Sequence, residues 1–139
     1  MGEMKVAVKG VLVKEGKMLI VKRSDLDETG AGTWESVGGV MEFGETFEQA
    51  LEREFIEEVG LAVQIEKLLF ATTFLTSPKR QIVLLTYLCS TTEENITLSD
   101  EHEAYIWASA EELKCMLPPQ IWRDYKQHKV LEYLMLNVI

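Results

Sequence analysis

The chain has 139 residues, 47% of them hydrophobic and 27% charged, a size and balance that suit one folded domain with an ordinary core. Its 23 acids outnumber 14 bases for a net charge of −9, which excludes a general nucleic-acid-polymer binder, since that affinity comes from a basic surface. No apolar run nears the roughly 18 residues that a membrane span needs, and MGEMKVAVKG lacks the apolar segment of a secretory leader.

A cytoplasmic chain away from membranes is therefore expected. Cys89 and Cys115 have no CxxC spacing and read as two free thiols in a reduced compartment. His102 and His128 are too few and too distant in sequence to suggest a zinc site.

In chain order, KVAVKGVLV (5–13) and KMLIVKR (17–23) read as two strands around a turn at Glu15-Gly16. SDLDETGAG (24–32) is a polar, glycine-rich loop, and TWESVGGVMEF (33–43) gives short extended pieces broken by Gly38-Gly39. Thr46 with Gln49 forms a capping box, and Gly60 supplies a C′ stop, so a helix is predicted over 47–59. LAVQIEKLLFATTFL (61–75) and QIVLLTYLCS (81–90) are longer strands joined by TSPKR. A polar loop spans 90–103, YIWA (105–108) is a short strand, and SAEELKCM (109–116) is a short helix opened by Ser109. Pro118-Pro119 start a last helix carrying Ile121, Trp122, Tyr125, Leu131, Leu134 and Met135. Nothing suggests a repeat or a linker; residues 1–139 read as one mixed domain.

Residues 38–60, GGVMEFGETFEQALEREFIEEVG, hold seven glutamates and one arginine. At 100° per residue from Phe47, Glu54 and Glu58 fall at about 340° and 20°, Glu57 at about 280°, and Ala50 and Leu51 at about 300° and 40°. Glu48 and Glu52 point away and read as solvated charges. Glu54 and Glu58 share the apolar direction, where unpaired carboxylates are expensive. Arg53 can neutralise part of the cluster, and a hard divalent cation, which selects carboxylate oxygen, would relieve the rest. The Gly38-Gly39 pair permits close approach of another group to the backbone. Together these features suggest a metal-bridged phosphate site.

Gly39, Glu45 and the run Arg53-Glu54-Phe55-Ile56-Glu57-Glu58-Val59-Gly60-Leu61 resemble the Nudix box, G-x5-E-x7-R-E-U-x-E-E-x-G-U with U bulky and apolar. A strand ending near Arg23, a tryptophan at Trp34 and a polar, acidic loop before Trp107 also sit where Nudix domains commonly place them. Two departures stand out: Val37 replaces the usual proline before the glycine pair, and Phe55 is aromatic where aliphatics are usual.

The resemblance implies an α+β Nudix fold, a mixed β-sheet sandwiched between α-helices. It implies a MutT-like pyrophosphohydrolase using Mg²⁺, or Mn²⁺ in its place, on a small-molecule nucleotide, as a monomer or homodimer. A (deoxy)nucleoside triphosphate giving monophosphate and pyrophosphate is the expected reaction. ADP-ribose, another nucleoside-diphosphate sugar or a dinucleotide is the alternative, and a non-catalytic nucleotide-binding module is the third reading. Carried over position by position, Glu54, Glu57 and Glu58 would hold metal, with Gly38 beside them, and Arg53 would orient a glutamate. Gly38 and Gly39 would bring backbone near the diphosphate, and Glu45 would be accessory. Arg23, Trp34 and Phe74 could meet base or sugar, although each has a reading in the fold, and buried Trp34 and Phe74 are more often core. By the same resemblance the general base would be Glu54, or else a later-loop acid, Glu101 or Glu103 in DEHEAYIW.

Overall fold

The computed structural model describes residues 1–24 and 32–135. Apart from its first and last residue, the loop expected at 24–32 lies outside the described residues. The remaining chain forms seven strands and four helices in the order β1 (Glu3–Lys14), β2 (Lys17–Arg23), β3 (Trp34–Glu35), β4 (Val37–Val40), α1 (Phe47–Val59), β5 (Gln64–Ser77), β6 (Arg80–Ser90), β7 (His102–Ala108), α2 (Ala110–Met116), α3 (Pro119–Gln127) and α4 (Glu132–Met135).

β1 organises the sheet. It runs parallel to β6 from Glu3 to Leu12. On its other edge it pairs antiparallel first with β4, Ala7 opposite Val40, and then with β2, Val13 opposite Met18. β5 closes one side against β6, while β3 and β7 flank β2. The β1–β2 hairpin turns at Glu15 and Gly16, both at positive φ.

Side chains alternate across these strands, and both faces are covered. Val8, Leu12, Leu19 and Val21 face α1 and pack with Leu51, Phe55 and Val59. Val11, Met18 and Ile20 face the opposite way, onto Leu113, Tyr125, Val130 and Leu134 of the later helical segments. The sheet is therefore sandwiched between helices, as expected. Phe55 fits because Gly10 lies beneath it: a β-carbon there would stand 2.7 Å from the ring's Cζ. The aromatic at this box position thus depends on a glycine on β1, far away in sequence.

Three elements differ from the sequence reading. Gly38 and Gly39 do not break the extended pieces but lie within β4, paired with Lys9 and Val8. The polar loop is shorter, since β7 begins at His102, and it is tied down: Thr97 and Ser99 amides donate to the Val59 and Glu58 carbonyls at the end of α1. Ile96 and Leu98 add apolar contacts to the first core. Finally, the single helix expected after Pro118-Pro119 is two. Lys129 adopts φ 57°, and the Val130 amide donates back to the Tyr125 carbonyl at 2.9 Å, a helix-ending pattern usually built on glycine. The break turns Val130 and Leu134 into the second core.

Candidate active site

The capping box forms as read: the Thr46 hydroxyl accepts from the Gln49 amide, the Gln49 side chain accepts from the Thr46 amide, and Gly60 stops α1 in the left-handed region. With the helix ends fixed, one face delivers Arg53, Glu54, Glu57 and Glu58 beside β4.

Arg53 is the hub of this face. Its Nε and Nη2 donate to Glu45 at 2.6 and 3.0 Å, its Nη1 to Glu54 at 3.0 Å and to Glu57 at 3.2 Å, and Nη2 also to the Val40 carbonyl at 3.3 Å. The Glu45 hydrogen bond, opposed by burial and helped by Glu54 and Glu57, holds the guanidinium firmly protonated. Glu45 gives both oxygens to Arg53, accepts from the Glu42 amide as well, and its carboxyl is held below the usual range by Arg53. It thus braces Arg53 and is not among the residues that line the cleft.

The glycine pair explains how the helix comes so close. Gly38 has φ 154°, and a β-carbon there would collide with the Val8 carbonyl; one on Gly39 would stand 2.7 Å from a Glu54 carboxylate oxygen. Glu54 can rest against the β4 backbone because nothing projects from Gly39.

Exposure sorts the acids. Glu57 is half exposed at 51%, Glu54 is 13% exposed and Glu58 only 7%. Burial, with a hydrogen bond to Glu54, pushes the Glu58 carboxyl up to about 9. Its Oε1 is buried without a hydrogen-bond partner.

A second network lies behind these acids. Lys9 Nζ donates to Glu35 at 3.2 Å and to the Ser36 carbonyl at 3.1 Å. Glu35 also meets Arg23 at 3.5 Å and His102 Nε2 at 2.9 Å. Burial alone would raise the Glu35 carboxyl, but His102, Lys9 and Arg23 together lower it to about 2. Lys9, Glu35 and His102 were missed in the sequence because they come from β1, β3 and β7 with no common spacing. A period-two reading of β1 could have flagged Lys9, which points to the same face as Ala7.

These residues line a cleft of about 930 Å³. Its lining combines Glu42, Arg53, Glu54, Glu57 and Glu58 with the apolar side chains of Phe70, Phe74, Trp34, Ile82 and Leu84. The structure thus brings Gly38, Gly39, Arg23, Trp34 and Phe74 to the same cleft as the acids. Glu101 also lines it, whereas Glu103 lies on β7, 3.9 Å from Lys22, and does not.

The NUDIX domain family model matches residues 4–131. The chain belongs to the Nudix family. It is 36% identical over 109 residues to a MutT-like protein of Streptomyces ambofaciens, covering 78% of this chain and 66% of that protein. It is 29% identical over 113 residues to a nucleoside triphosphatase, NudI, of Escherichia coli O17:K52:H18, covering 74% and 80%. Among solved structures, a MutT protein from Methanosarcina mazei Go1 superposes with a TM-score of 0.83 at 21% identity, over 94% of this chain and 96% of that one. This protein is a Nudix hydrolase with the α+β fold of that family.

The Nudix family implies a divalent cation, and the donor chemistry fits one. Glu54 and Glu58 are hard oxygen donors within hydrogen-bonding reach of each other, and the Glu58 Oε1 atom lacks a hydrogen-bond partner. Among the described residues, though, no three acid, histidine or cysteine side chains converge on one point as they stand. Arg53 Nη1 draws Glu54 and Glu57 to itself. Among the described residues no helix is long and apolar enough to cross a membrane.

Proposed function

We propose that this Nudix pyrophosphohydrolase cleaves a nucleoside triphosphate to the monophosphate and pyrophosphate. The observation that carries the reading is a single cleft whose lining joins the box acids, suited to a metal-bound phosphate chain, to the aromatic side chains Trp34 and Phe74, suited to a base. The likeness to a nucleoside triphosphatase over most of both chains supports the same substrate class. Residues 1–139 are read as one such domain.

Glu54, Glu57 and Glu58 would hold Mg²⁺ or Mn²⁺. Bound there, the cation supplies phosphate charge neutralisation and an acidified water, which also lets a chain of net charge −9 accept a polyanion. The protein's own groups do the rest. Arg53, braced by Glu45, keeps Glu54 and Glu57 from splaying apart. Gly38 and Gly39 leave the β4 backbone open to the diphosphate. Glu54, against that backbone, would take a proton from the attacking water, with Glu101, which also lines the cleft, as the loop alternative. Trp34 and Phe74 offer faces for a base, and Arg23 a charge near the sugar or phosphates. Positioning and charge stabilisation of this kind account for most of phosphoryl-transfer catalysis.

A panel of (deoxy)nucleoside triphosphates, ADP-ribose and dinucleoside polyphosphates, read by phosphate release with and without added pyrophosphatase, tests the proposal. A triphosphate should give the highest kcat/KM, with phosphate appearing only when pyrophosphatase is present. A tenfold preference for ADP-ribose or a dinucleotide over every triphosphate would overturn the substrate class. Binding of nucleotide without turnover of any would leave a binding module.

A further inference from the structure

At the back of the cleft two buried polar atoms face each other without hydrogen-bond partners, Glu58 Oε1 and His102 Nδ1. They are 3.9 Å apart. Such orphans are rare in folded proteins, and two in one place point to a function. The His102 ring is 2% exposed, so solvent does not satisfy it.

The ring is firmly held. Its Nε2 lies 2.9 Å from Glu35, which is anchored in turn by Lys9 and Arg23. Backbone ties the same segment to α1: the Ser99 amide donates to the Glu58 carbonyl at 3.1 Å, and the His102 amide to the Ser99 carbonyl at 3.2 Å. An ionised Glu35 only accepts, so Nε2 carries hydrogen and Nδ1 is the nitrogen turned to Glu58. Closing the gap by about 1 Å makes an ordinary hydrogen bond. One hydrogen then lies between the ring and the carboxyl, whichever of them carries it.

We propose that His102, clamped by Glu35, is a positioning residue that sets the Glu58 carboxyl for divalent-cation binding through Nδ1. This rests on the reading of Glu58 as a metal ligand. Partners behind a ligand fix its orientation, and their loss typically weakens metal affinity about 10- to 100-fold.

Two amides separate the ring's two nitrogens. An asparagine amide occupies roughly the place of Nδ1, and a glutamine amide that of Nε2. Mn²⁺ binding to the full chain without nucleotide, read from the free-ion EPR signal, should be about tenfold or more weaker in His102→Gln. His102→Asn, which keeps a partner for Glu58, should stay within about threefold of wild type, although both lose the ring's packing. Equal weakening of both variants, or none in either, overturns the proposal. Absence of Mn²⁺ binding to wild type would instead overturn the metal reading beneath it. Should the variants not fold, ring-nitrogen NMR of the wild type decides: with only His102 and His128 present, Mg²⁺ should move the His102 Nδ1 signal and spare His128. An unmoved His102 signal under saturating Mg²⁺ overturns it.

Discussion

Glu35 and Glu58 lie on either side of the His102 ring, both substantially buried, yet their carboxyls shift in opposite net directions. Glu35 is lowered to about 2 and Glu58 raised to about 9. Burial pushes both carboxyls the same way, so the difference lies in their company. Glu35 has Lys9, Arg23 and His102 around it. Glu58 has Glu54 as its hydrogen-bond neighbour, with Lys9 giving only partial relief. One glutamate is a finished structural anchor. The other, under the proposed function, is an incomplete site held ready for a positive charge that its neighbours supply only in part.

The largest effect should fall on the incomplete side. Glu58→Gln or Glu57→Gln is expected to lower kcat by about 10²-fold or more with the preferred nucleotide and saturating Mg²⁺, through lost metal positioning. Wild type should be inactive in excess EDTA. Full activity of any of these three would put Glu58 on the same structural footing as Glu35.

Acid and base then pull the pair apart in stability. The Glu35 carboxyl, near 2 when folded against 4.5 in the unfolded chain, contributes stability above pH 4.5 that is lost as pH falls towards 2. A shift of that size is worth at most about 3 kcal/mol. Glu58 has the reverse sign: with a folded value near 9, it costs stability as pH rises from 4.5 through 9. In EDTA, therefore, Glu35→Gln should be less stable than wild type at neutral pH, with the gap closing below pH 4.5. Glu58→Gln should be as stable as wild type or more so, with its advantage growing towards pH 9. Melts of the three proteins across pH check both signs, and parallel curves would remove the contrast.

A smaller effect sharpens the same point. Mg²⁺ at ten times its dissociation constant should stabilise wild type by about 1.4 kcal/mol without substrate. Glu35→Gln should keep part of that increment and Glu58→Gln little of it, at matched ionic strength. An intact increment in a Glu58→Gln protein that is already destabilised in EDTA would make Glu58 a bonded structural acid.

The smallest effects are expected from the loop acids. With Glu54 as base, Glu101→Gln and Glu103→Gln should each retain activity within about tenfold, whereas loss of a general base costs about 10² to 10⁴. Glu103, paired to Lys22 away from the cleft, should matter least. A thousandfold loss at Glu101 with unchanged Mn²⁺ affinity would move the base to the loop.

What the sequence determined by itself was local or periodic. The capping box at Thr46, the stop at Gly60 and the wheel position of Glu58 all follow from spacing within one helix, and each is present. The β1–β2 hairpin and the long strands β5 and β6 were equally legible as elements, because alternation and turn residues act over a few positions. The break at Lys129 was not, since no glycine marks it and the pull of Val130 and Leu134 into the second core overrides the local pattern. Nor was the setting of Phe55, whose room is made by Gly10 on β1. Only the tertiary structure joined Lys9, Glu35 and His102, from β1, β3 and β7, behind the glutamates of α1. Charges separated by tens of residues leave no period in a chain; they become a pair only when strand register and helix docking bring them within a few ångströms, where Coulomb forces and hydrogen bonds take hold.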